Sequence, residues 1–386
     1  MRLAYVTETY PPEVNGVSLA AARTVCHLRA RGHEVCLVRP RQRAESASGG
    51  KGSSDWRAPA CGVPLLPELR LGISLPASLE ARFLQTGCEL VHVATAGPLA
   101  WAAVTAARRL ALPVTSDFRS HLPEYTRRCG LGWLVPAMHA YLRRFHQRTL
   151  RSFVPTREAL LELSEAGLKG LEIIGRGVDT QRFAPHRRCP ELRARWSPAG
   201  GPVLLYAGRL AADSNARLAL RAFQSARRFV PLTRMVVIGD GPLRKALMRE
   251  FADACFVGAQ RGEALARHYA SADLCLQPAL ADALENVTLE ALASGLPVVA
   301  YRTGAAARHV HDRASGRLIR LGDEDGFVIA TCMSAWQYGD LGSMSRGARV
   351  AGLRADWSAM LGVFEQKLVA AMDAHQAGIA EVACVA

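Results

Sequence analysis

Short apolar strands alternate with helices in both halves of the chain, and this alternation constrains the fold more than any other feature. The first half opens with a predicted strand at Arg2–Val6, a helix near Ser18–Arg31 and a strand at Val35–Val38, and the second half restarts with a strand at Val203–Ala207. Alternation of this kind predicts parallel α/β sheets. Because 386 residues exceed what one hydrophobic core normally holds, we predict an α/β protein with two Rossmann-like, doubly wound domains facing a cleft.

The remaining elements and the domain bounds follow from apolar runs and from Pro- and Gly-rich breaks. Further strands are predicted at Leu90–Val93, Pro113–Ser116, Val236–Ile238, Asp273–Gln277 and Val298–Ala300, and helices at Pro98–Leu110 and at Trp133–Ser152, the second interrupted near Pro136. Residues 41–56 predict a mobile loop, and residues 184–201 predict a linker. We expect a first domain over 1–185, a second over 200–360, and a helix in 361–386 that returns to the first domain.

Composition narrows the cellular context and the classes of partner. The ten cysteines are scattered without a CxxC pair, no run of 18 apolar residues occurs, and the first residues form a strand rather than a signal peptide. These features predict a cytoplasmic protein. The net charge of +14 comes almost wholly from arginine, because only four of the 48 basic residues are lysine. Without a nucleic-acid motif we exclude nucleic-acid binding, and two alternatives stay open: a solvated basic surface, or peripheral attachment to anionic lipid on the inner face of the cell membrane.

The segment 277–304 carries the strongest chemical signal. Asp282 and Glu290 lie eight positions apart, with Asn286-Val287 between them and Gly304 beyond the next strand. Exposed amides at a helix N-terminus suit a diphosphate, and a carboxylate farther along the helix can accept hydrogen bonds from sugar or ribose hydroxyls. An acidic first turn is also favoured by the helix dipole alone. The whole pattern, ending in Pro-Val-Val-Ala and Thr-Gly, indicates a ligand site rather than a stabilised helix end.

Other candidates lie just after predicted strands, where ligands gather in such sheets. Gly16 follows the first strand and removes a side chain where backbone must approach a ligand. Arg209 follows the strand that opens the second half and suits a bidentate phosphate contact. Arg119 and His121 are candidate catalytic groups in a loop that has a plain polar loop as its alternative. His92 at a strand end is interpreted as a structural histidine.

Together these segments resemble the retaining GT-B glycosyltransferases of family 4 over nearly the whole chain. Within that family the resemblance is to the branch containing GDP-mannose-dependent α-mannosyltransferases and sulfoquinovosyl-diacylglycerol synthases. The motifs that carry it, in register, are Pro12–Val17, Gly32–Val35, Val91–Thr95 with Gly97–Leu99, Leu122–Tyr125, Gly130–Trp133, Gly175–Thr180, Gly208–Leu210, Gly239–Pro242 and Asp282–Pro297.

The resemblance implies a metal-independent hexosyl transfer that needs no cofactor and retains the anomeric configuration. The donor would be a nucleotide diphosphosugar, GDP-mannose first and a UDP-sugar second, and the acceptor a lipid or a growing glycan. The implied roles are ribose binding by Glu290, diphosphate binding by Arg209 and by amides near Gly304, and closure over the diphosphate by Gly16. Asp282 and the backbone around Asn286-Val287 would contact the sugar and phosphate.

Three departures from the family pattern lie at the predicted chemistry. Arg119 stands where the family has histidine, with His121 two positions on; Ser214 stands where it has lysine; and Glu285 stands where it has glycine. An arginine cannot exchange protons as histidine does, and an added carboxylate disfavours a diphosphate unless a cation offsets it. Two interpretations follow: an altered donor or acceptor specificity, or a degenerate GT-B protein that binds nucleotide-sugar or a protein partner without efficient turnover.

Overall fold

The computed structural model describes residues 1–13, 16–42, 54–63, 66–118, 132–211, 214–280 and 285–385. The chain divides into two compact units, one formed by Met1–Gly175 with Leu361–Ala386 and the other by Arg176–Met360. Each unit contains a parallel sheet with helices, which confirms the predicted Rossmann-like α/β class. Among the described residues, none of the helices combines the length and the apolar character needed to cross a bilayer.

The first unit is built on a seven-stranded sheet. Its strands and helices are β1 (Arg2–Val6), α1 (Gly16–Ala30), β2 (Glu34–Pro40), β3 (Asp55–Ala58), β4 (Ala60–Val63), β5 (Leu66–Gly72), α2 (Pro76–Gln85), β6 (Leu90–Val93), α3 (Pro98–Arg109), β7 (Val114–Asp117), α4 (Val135–His146), β8 (Arg151–Val154), α5 (Arg157–Glu165) and β9 (Leu171–Ile173). The strand order is β3-β2-β1-β6-β7-β8-β9, all parallel, and β4 and β5 form a separate antiparallel hairpin. The order in which the strands are added to the sheet reverses between β1 and β6, which marks a topological switch point.

Two predictions for the first unit need correction. The helix predicted at Trp133–Ser152 begins as α4 after a short 3-10 turn and ends at His146, and Arg151 already lies in β8. Pro136 occupies the first turn of α4, where its missing N–H costs nothing, so it starts the helix rather than interrupting it. The predicted loop 41–56 ends earlier than expected, since Asp55 and Trp56 pair with β2; residues 43–53 lie outside the described part of the chain.

The second unit is built on a six-stranded parallel sheet. Its strands and helices are α6 (Pro190–Trp196), β10 (Val203–Ala207), α7 (Ala216–Phe229), β11 (Arg234–Ile238), α8 (Arg244–Glu250), β12 (Cys255–Gly258), α9 (Gly262–Ser271), β13 (Leu274–Gln277), α10 (Glu285–Ala293), β14 (Val298–Tyr301), α11 (Gly304–His309), β15 (Gly316–Ile319), α12 (Glu324–Trp336) and α13 (Leu341–Arg354). The strand order β12-β11-β10-β13-β14-β15 places its switch point between β10 and β13. The last helix, α14, spans Trp357–Val385.

The segment predicted as a linker, 184–201, belongs to the second unit instead. Phe183 and Trp196 are each 6% exposed and pack in the same apolar cluster as the strands of the second sheet. The boundary between the units falls at Gly175, about ten residues earlier than predicted. Proline and charge in this stretch mark a 3-10 turn at Pro185–Arg187 and the short helix α6, and the two buried aromatic rings anchor both to the second core.

An arginine brace holds the segment before α6 against helix α10. The Arg349 guanidinium donates to the carbonyl oxygens of Phe183 at 2.9 Å and Thr180 at 3.2 Å, and also to that of Ala293 at the end of α10. A cation at a helix C-terminus satisfies carbonyls that have no partner within the helix. The brace therefore fixes the far end of the helix that carries Glu290.

Candidate functional site

Three predicted donor contacts follow the carboxyl ends of three neighbouring strands of the second sheet. Arg209 follows β10, α10 follows β13, and Gly304 follows β14, and these strands are consecutive in the sheet. Parallel strands bring their carboxyl ends to one edge, and a ligand binds at that edge where the strand order reverses. Because the reversal lies between β10 and β13, Arg209 and α10 flank the switch point from either side.

The turn that carries Arg209 is shaped by glycines. Gly239 has φ +141°, and a Cβ added to it would lie 1.8 Å from the carbonyl oxygen of Gly208. A Cβ on Gly241 would lie 2.4 Å from the carbonyl oxygen of Leu210, and the Leu210 amide donates to the Asp240 carbonyl at 2.9 Å. The turn after β11 is thus pressed against the turn after β10. The Gly239–Pro242 motif is architectural, and it sets the backbone next to Arg209.

Ser214 organises the same turn from within. It is 4% exposed, and its hydroxyl lies 2.5 Å from the carbonyl oxygen of Arg209 and 2.7 Å from that of Ala211. It also accepts the Ala211 amide at 3.2 Å. The Tyr206 hydroxyl donates to the Arg209 carbonyl at 3.1 Å. The Ser214 side chain is therefore engaged with backbone, and a donor contact at this position stays a prediction.

Helix α10 presents part of the acidic motif. Asn286 is exposed near its start, and Val287 is 9% exposed and packs in the core. Glu290 is partly buried and lies on the same stripe of the helix as Asn286, four residues apart. Glu285 is the first residue of α10, and its side chain lies outside the described part of the structure. Asp282 also lies outside the described residues, so its predicted role stays a prediction.

Glu290 is electrostatically unusual. Burial raises the pKa of its carboxyl to about 7, while a hydrogen bond from Tyr269 and the nearby Arg182 cation act in the lowering direction. Tyr269 lies on α9, is 1% exposed, and has its own pKa raised well above the usual value by burial and by Glu290. The two carboxylate oxygens have more lone pairs than the Tyr269 hydroxyl uses, so Glu290 can also accept ligand hydroxyls. This combination fits a ribose-binding carboxylate.

Gly304 begins α11 with φ +46° and is buried, which suits a position where only backbone faces a ligand. Thr303 precedes it without capping the helix through its side chain. Among the residues that the structure describes, no group of three or more His, Cys, Asp or Glu side chains is arranged to hold a metal ion.

The first unit has a topological switch point of its own. Gly16 is the first residue of α1, which follows β1 at the switch point between β1 and β6. Arg119 and His121 lie outside the described residues. His92 is fully buried, with Nδ1 at 3.0 Å from the Thr115 hydroxyl and Nε2 at 3.6 Å from an Asp117 carboxylate oxygen. This agrees with its interpretation as a structural histidine.

Three residues of these sites have no counterpart among the sequence candidates. Tyr269 and Arg182 lie outside the Glu290 motif and act on its carboxyl, and Glu8 is a buried acid two residues beyond β1. Glu8 had one available signal, an acidic residue close behind an apolar strand. Tyr269 and Arg182 had none, because their interactions with Glu290 join distant parts of the chain.

Comparison with known proteins identifies the class. Residues 14–182 match the model of "Glycosyltransferase Family 4", and residues 201–333 match the model of "Glycosyl transferases group 1". The chain is 32% identical to a GDP-mannose-dependent alpha-mannosyltransferase of Corynebacterium glutamicum over 87% of this chain and 84% of that protein. It is 33% identical to the Mycobacterium tuberculosis protein of the same name over 84% and 85%. The crystal structure of Anabaena Alr3699/HepE in complex with UDP matches 96% of this chain and all of that one, with a TM-score of 0.71 at 15% identity.

The two parallel-sheet units and this structural likeness define a GT-B fold. The chain belongs to glycosyltransferase family 4, and it is accordingly a glycosyltransferase. Both the fold class and the family predicted from the sequence are confirmed.

Proposed function

We propose that this enzyme transfers mannose from GDP-mannose with retention of the anomeric configuration and without a metal ion. The observation that carries the proposal is the convergence of Arg209, Glu290 and Gly304 on one strand edge, in a chain about one third identical to GDP-mannose-dependent mannosyltransferases. UDP-sugars are the second donor class, since a fold neighbour was crystallised with UDP.

In this proposal the chain's own groups bind and orient the donor. Arg209 forms a bidentate contact with the diphosphate, and the amides near Gly304 and at the start of α10 add hydrogen bonds to it. Glu290 accepts the ribose hydroxyls. Asp282 and the backbone around Asn286-Val287 contact the sugar and phosphate, while Gly16, Arg119 and His121 are the predicted contributions of the first unit. The leaving diphosphate accumulates charge during transfer, so the fixed donors around it lower the barrier.

A thermal-shift panel tests the donor class. GDP and GDP-mannose should each raise the melting temperature of the purified protein, because a ligand that binds only the folded state stabilises it by mass action. At 100 times its Kd a ligand stabilises by about 2.7 kcal/mol. UDP, ADP and CMP serve as controls. A shift with UDP alone would indicate a UDP-sugar donor instead of GDP-mannose. No shift with any nucleotide would favour the degenerate, non-catalytic interpretation.

We further propose a lipid acceptor presented at an anionic membrane surface. Residues 125–157 contain no acidic residue, and within them Trp133 is 75% exposed just before α4, whose outer face exposes Arg143 and Arg144. The opposite face of α4 is apolar and buried, with Leu142 and Phe145 in the core. Exposed tryptophan beside arginine suits a membrane interface.

Vesicle binding tests the membrane proposal. The protein should sediment with phosphatidylglycerol vesicles but not with phosphatidylcholine vesicles, and Arg143→Glu/Arg144→Glu should lower that binding about tenfold or more, at about 1 kcal/mol for each basic residue lost. Arg346→Glu/Arg354→Glu makes the same charge change on exposed residues of α13 and should leave most of the binding intact. Equal losses in both variants would assign the binding to net charge, and a glycan acceptor would then be the better candidate.

A further inference from the structure

Glu8 is a buried acid at the switch point of the first sheet. It lies two residues beyond the end of β1 and is 4% exposed. Its backbone amide donates to the Thr95 hydroxyl at 2.8 Å, and Thr95 lies just beyond β6. The residue thus joins the two loops that leave the sheet where the strand order reverses.

The carboxylate of Glu8 ties three segments together. One oxygen accepts the amide of Leu99 at 2.9 Å, and the other accepts the amide of Gly72 at 2.7 Å. The Ala100 amide also donates to the carboxylate. Leu99 and Ala100 are in the first turn of α3, so Glu8 caps this helix from a distance of about ninety residues in sequence. Gly72 ends β5, which brings the hairpin into the same arrangement.

Gly97 leaves the space that the carboxylate fills. A Cβ added to Gly97 would lie 2.2 Å from Glu8 Oε1 and 2.6 Å from its carboxyl carbon. Any larger residue at this position would displace the carboxyl group. The Gly97-Pro98 pair at the start of α3 is therefore explained by Glu8, because glycine admits the acid and proline opens the helix.

This capping decides which helix of the first unit can meet an anion. The first amides of α3 are already occupied by Glu8, so α3 offers no phosphate site there. Helix α1 begins at Gly16, and the loop before it is held at its far end by Glu13, which accepts the Thr9 hydroxyl at 2.5 Å and whose carbonyl accepts the Ser18 hydroxyl at 2.6 Å. Within the described part of the loop after β1, residues 7–13, Glu8 fixes the beginning and Glu13 the end.

We propose that Glu8 is a positioning residue for glycosyl transfer, which holds the loop between β1 and α1 in the geometry that Gly16 needs. This inference rests on the proposed function, because it assigns Gly16 a contact with the donor diphosphate. Glu8 itself is enclosed by backbone amides and does not touch a substrate.

The charge state of Glu8 gives the inference a pH signature. Burial raises the pKa of its carboxyl to about 7, against the lowering effect of the three amides. The negative charge of Glu13 also raises the pKa of Glu8, and Arg39 and Arg70 act in turn on Glu13. Tyr141 faces Glu8 from α4. Protonation replaces one acceptor with a hydroxyl, so the bonds to Gly72 and α3 weaken as the pH falls through about 7.

Hydrogen exchange and kinetics of Glu8→Gln test the inference together. In the glutamine variant one carboxylate oxygen becomes an NH2 group, which cannot accept a hydrogen bond from a backbone amide. Hydrogen exchange of the Gly72 or Leu99 amide should therefore accelerate at least tenfold. The kcat/KM for transfer should fall about tenfold or more. In the wild type, exchange at these amides, corrected for the intrinsic rate, should rise about tenfold from pH 8 to pH 6, following the fraction of ionised carboxyl. In Glu8→Gln it should not depend on pH.

Two further variants separate positioning from general damage. Gly97→Ala keeps the acid but displaces it, and it should reproduce the loss of kcat/KM. Glu89→Gln removes a partly exposed acid of the same unit, paired with Arg2, and should stay within twofold of wild type. An active wild type with Glu8→Gln unchanged in kcat/KM overturns only this inference. A wild type with no transferase activity overturns the proposed function, and the inference with it.

Discussion

Replacing Glu290 with glutamine is expected to lower kcat/KM about 100-fold and, at pH 8, to make the protein more stable. The loss of activity follows from the carboxylate's role as acceptor of ribose hydroxyls, since a lost charged hydrogen-bond partner costs about 1.5–3 kcal/mol and 100-fold corresponds to about 2.7 kcal/mol. Steady-state kinetics with GDP-mannose, beside thermal unfolding of the same samples, measures both effects.

The stability gain depends on pH in a defined direction. The pKa of Glu290 is about 7 in the folded protein and near 4.5 as a free side chain, so the folded state holds the proton more tightly. The stability linked to this proton is fully present below about pH 4.5 and is lost as the pH rises through 7. Glutamine carries no such penalty, and we expect it to stabilise by about 1–2 kcal/mol at pH 8, a reduced figure because Glu290 is partly exposed, and by nearly nothing at pH 4.5.

Two companion variants isolate the cause. Tyr269→Phe removes the hydroxyl whose hydrogen bond lowers the pKa of Glu290. When the pH is lowered, the affinity for GDP-mannose should therefore begin to fall at a higher pH than in the wild type. Glu263→Gln changes an exposed acid on α9 and should alter neither activity nor stability. Full activity in Glu290→Gln would remove this residue from the donor site. Loss of activity together with lower stability at pH 8 would indicate a structural role instead.

The sequence predicted which residues lie beyond the strand ends of the second sheet, but not the tertiary contacts that surround Glu290 and Glu8. Arg209 and Gly304 were predicted because each lies just beyond an apolar strand, and strand ends of a parallel sheet share an edge. Glu290 was predicted from the acidic motif on the helix that follows the neighbouring strand. Tyr269 on α9 reaches Glu290 on α10, and Glu8 reaches Leu99, which is 91 residues away in the sequence. Such contacts depend on tertiary packing, which local pattern and spacing do not encode.

The misplaced boundaries have equally physical origins. Proline and charge near 184–201 resembled a linker because local composition does not reveal that Trp196 is buried in the second core. Pro136 resembled a helix interruption because its effect depends on its position, and in the first turn proline is favoured. Local signals located elements well, and the side chains buried by distant neighbours decided where those elements ended.

Gly239→Ala is expected to disrupt the Arg209 turn and to cost about 3 kcal/mol of stability. The new Cβ would lie 1.8 Å from the carbonyl oxygen of Gly208, and the neighbour is backbone, which cannot swing aside as a flexible side chain does. The φ of +141° adds strain for any residue with a Cβ. Because Gly208 directly precedes Arg209, the shift should also weaken nucleotide binding about tenfold or more. Chemical denaturation and GDP titration measure the two effects.

Two glycines of the same unit divide this effect into its causes. Gly200 has φ +80° with nothing within 4 Å of an added Cβ, so Gly200→Ala should cost only the conformational strain, about 1 kcal/mol. Gly339 has neither a positive φ nor a close neighbour, so Gly339→Ala should be nearly neutral. If Gly239→Ala behaves like Gly200→Ala and binds GDP normally, the contact between the two turns does not position Arg209. A larger loss with weakened binding would show that the glycine motif after β11 maintains the diphosphate site after β10.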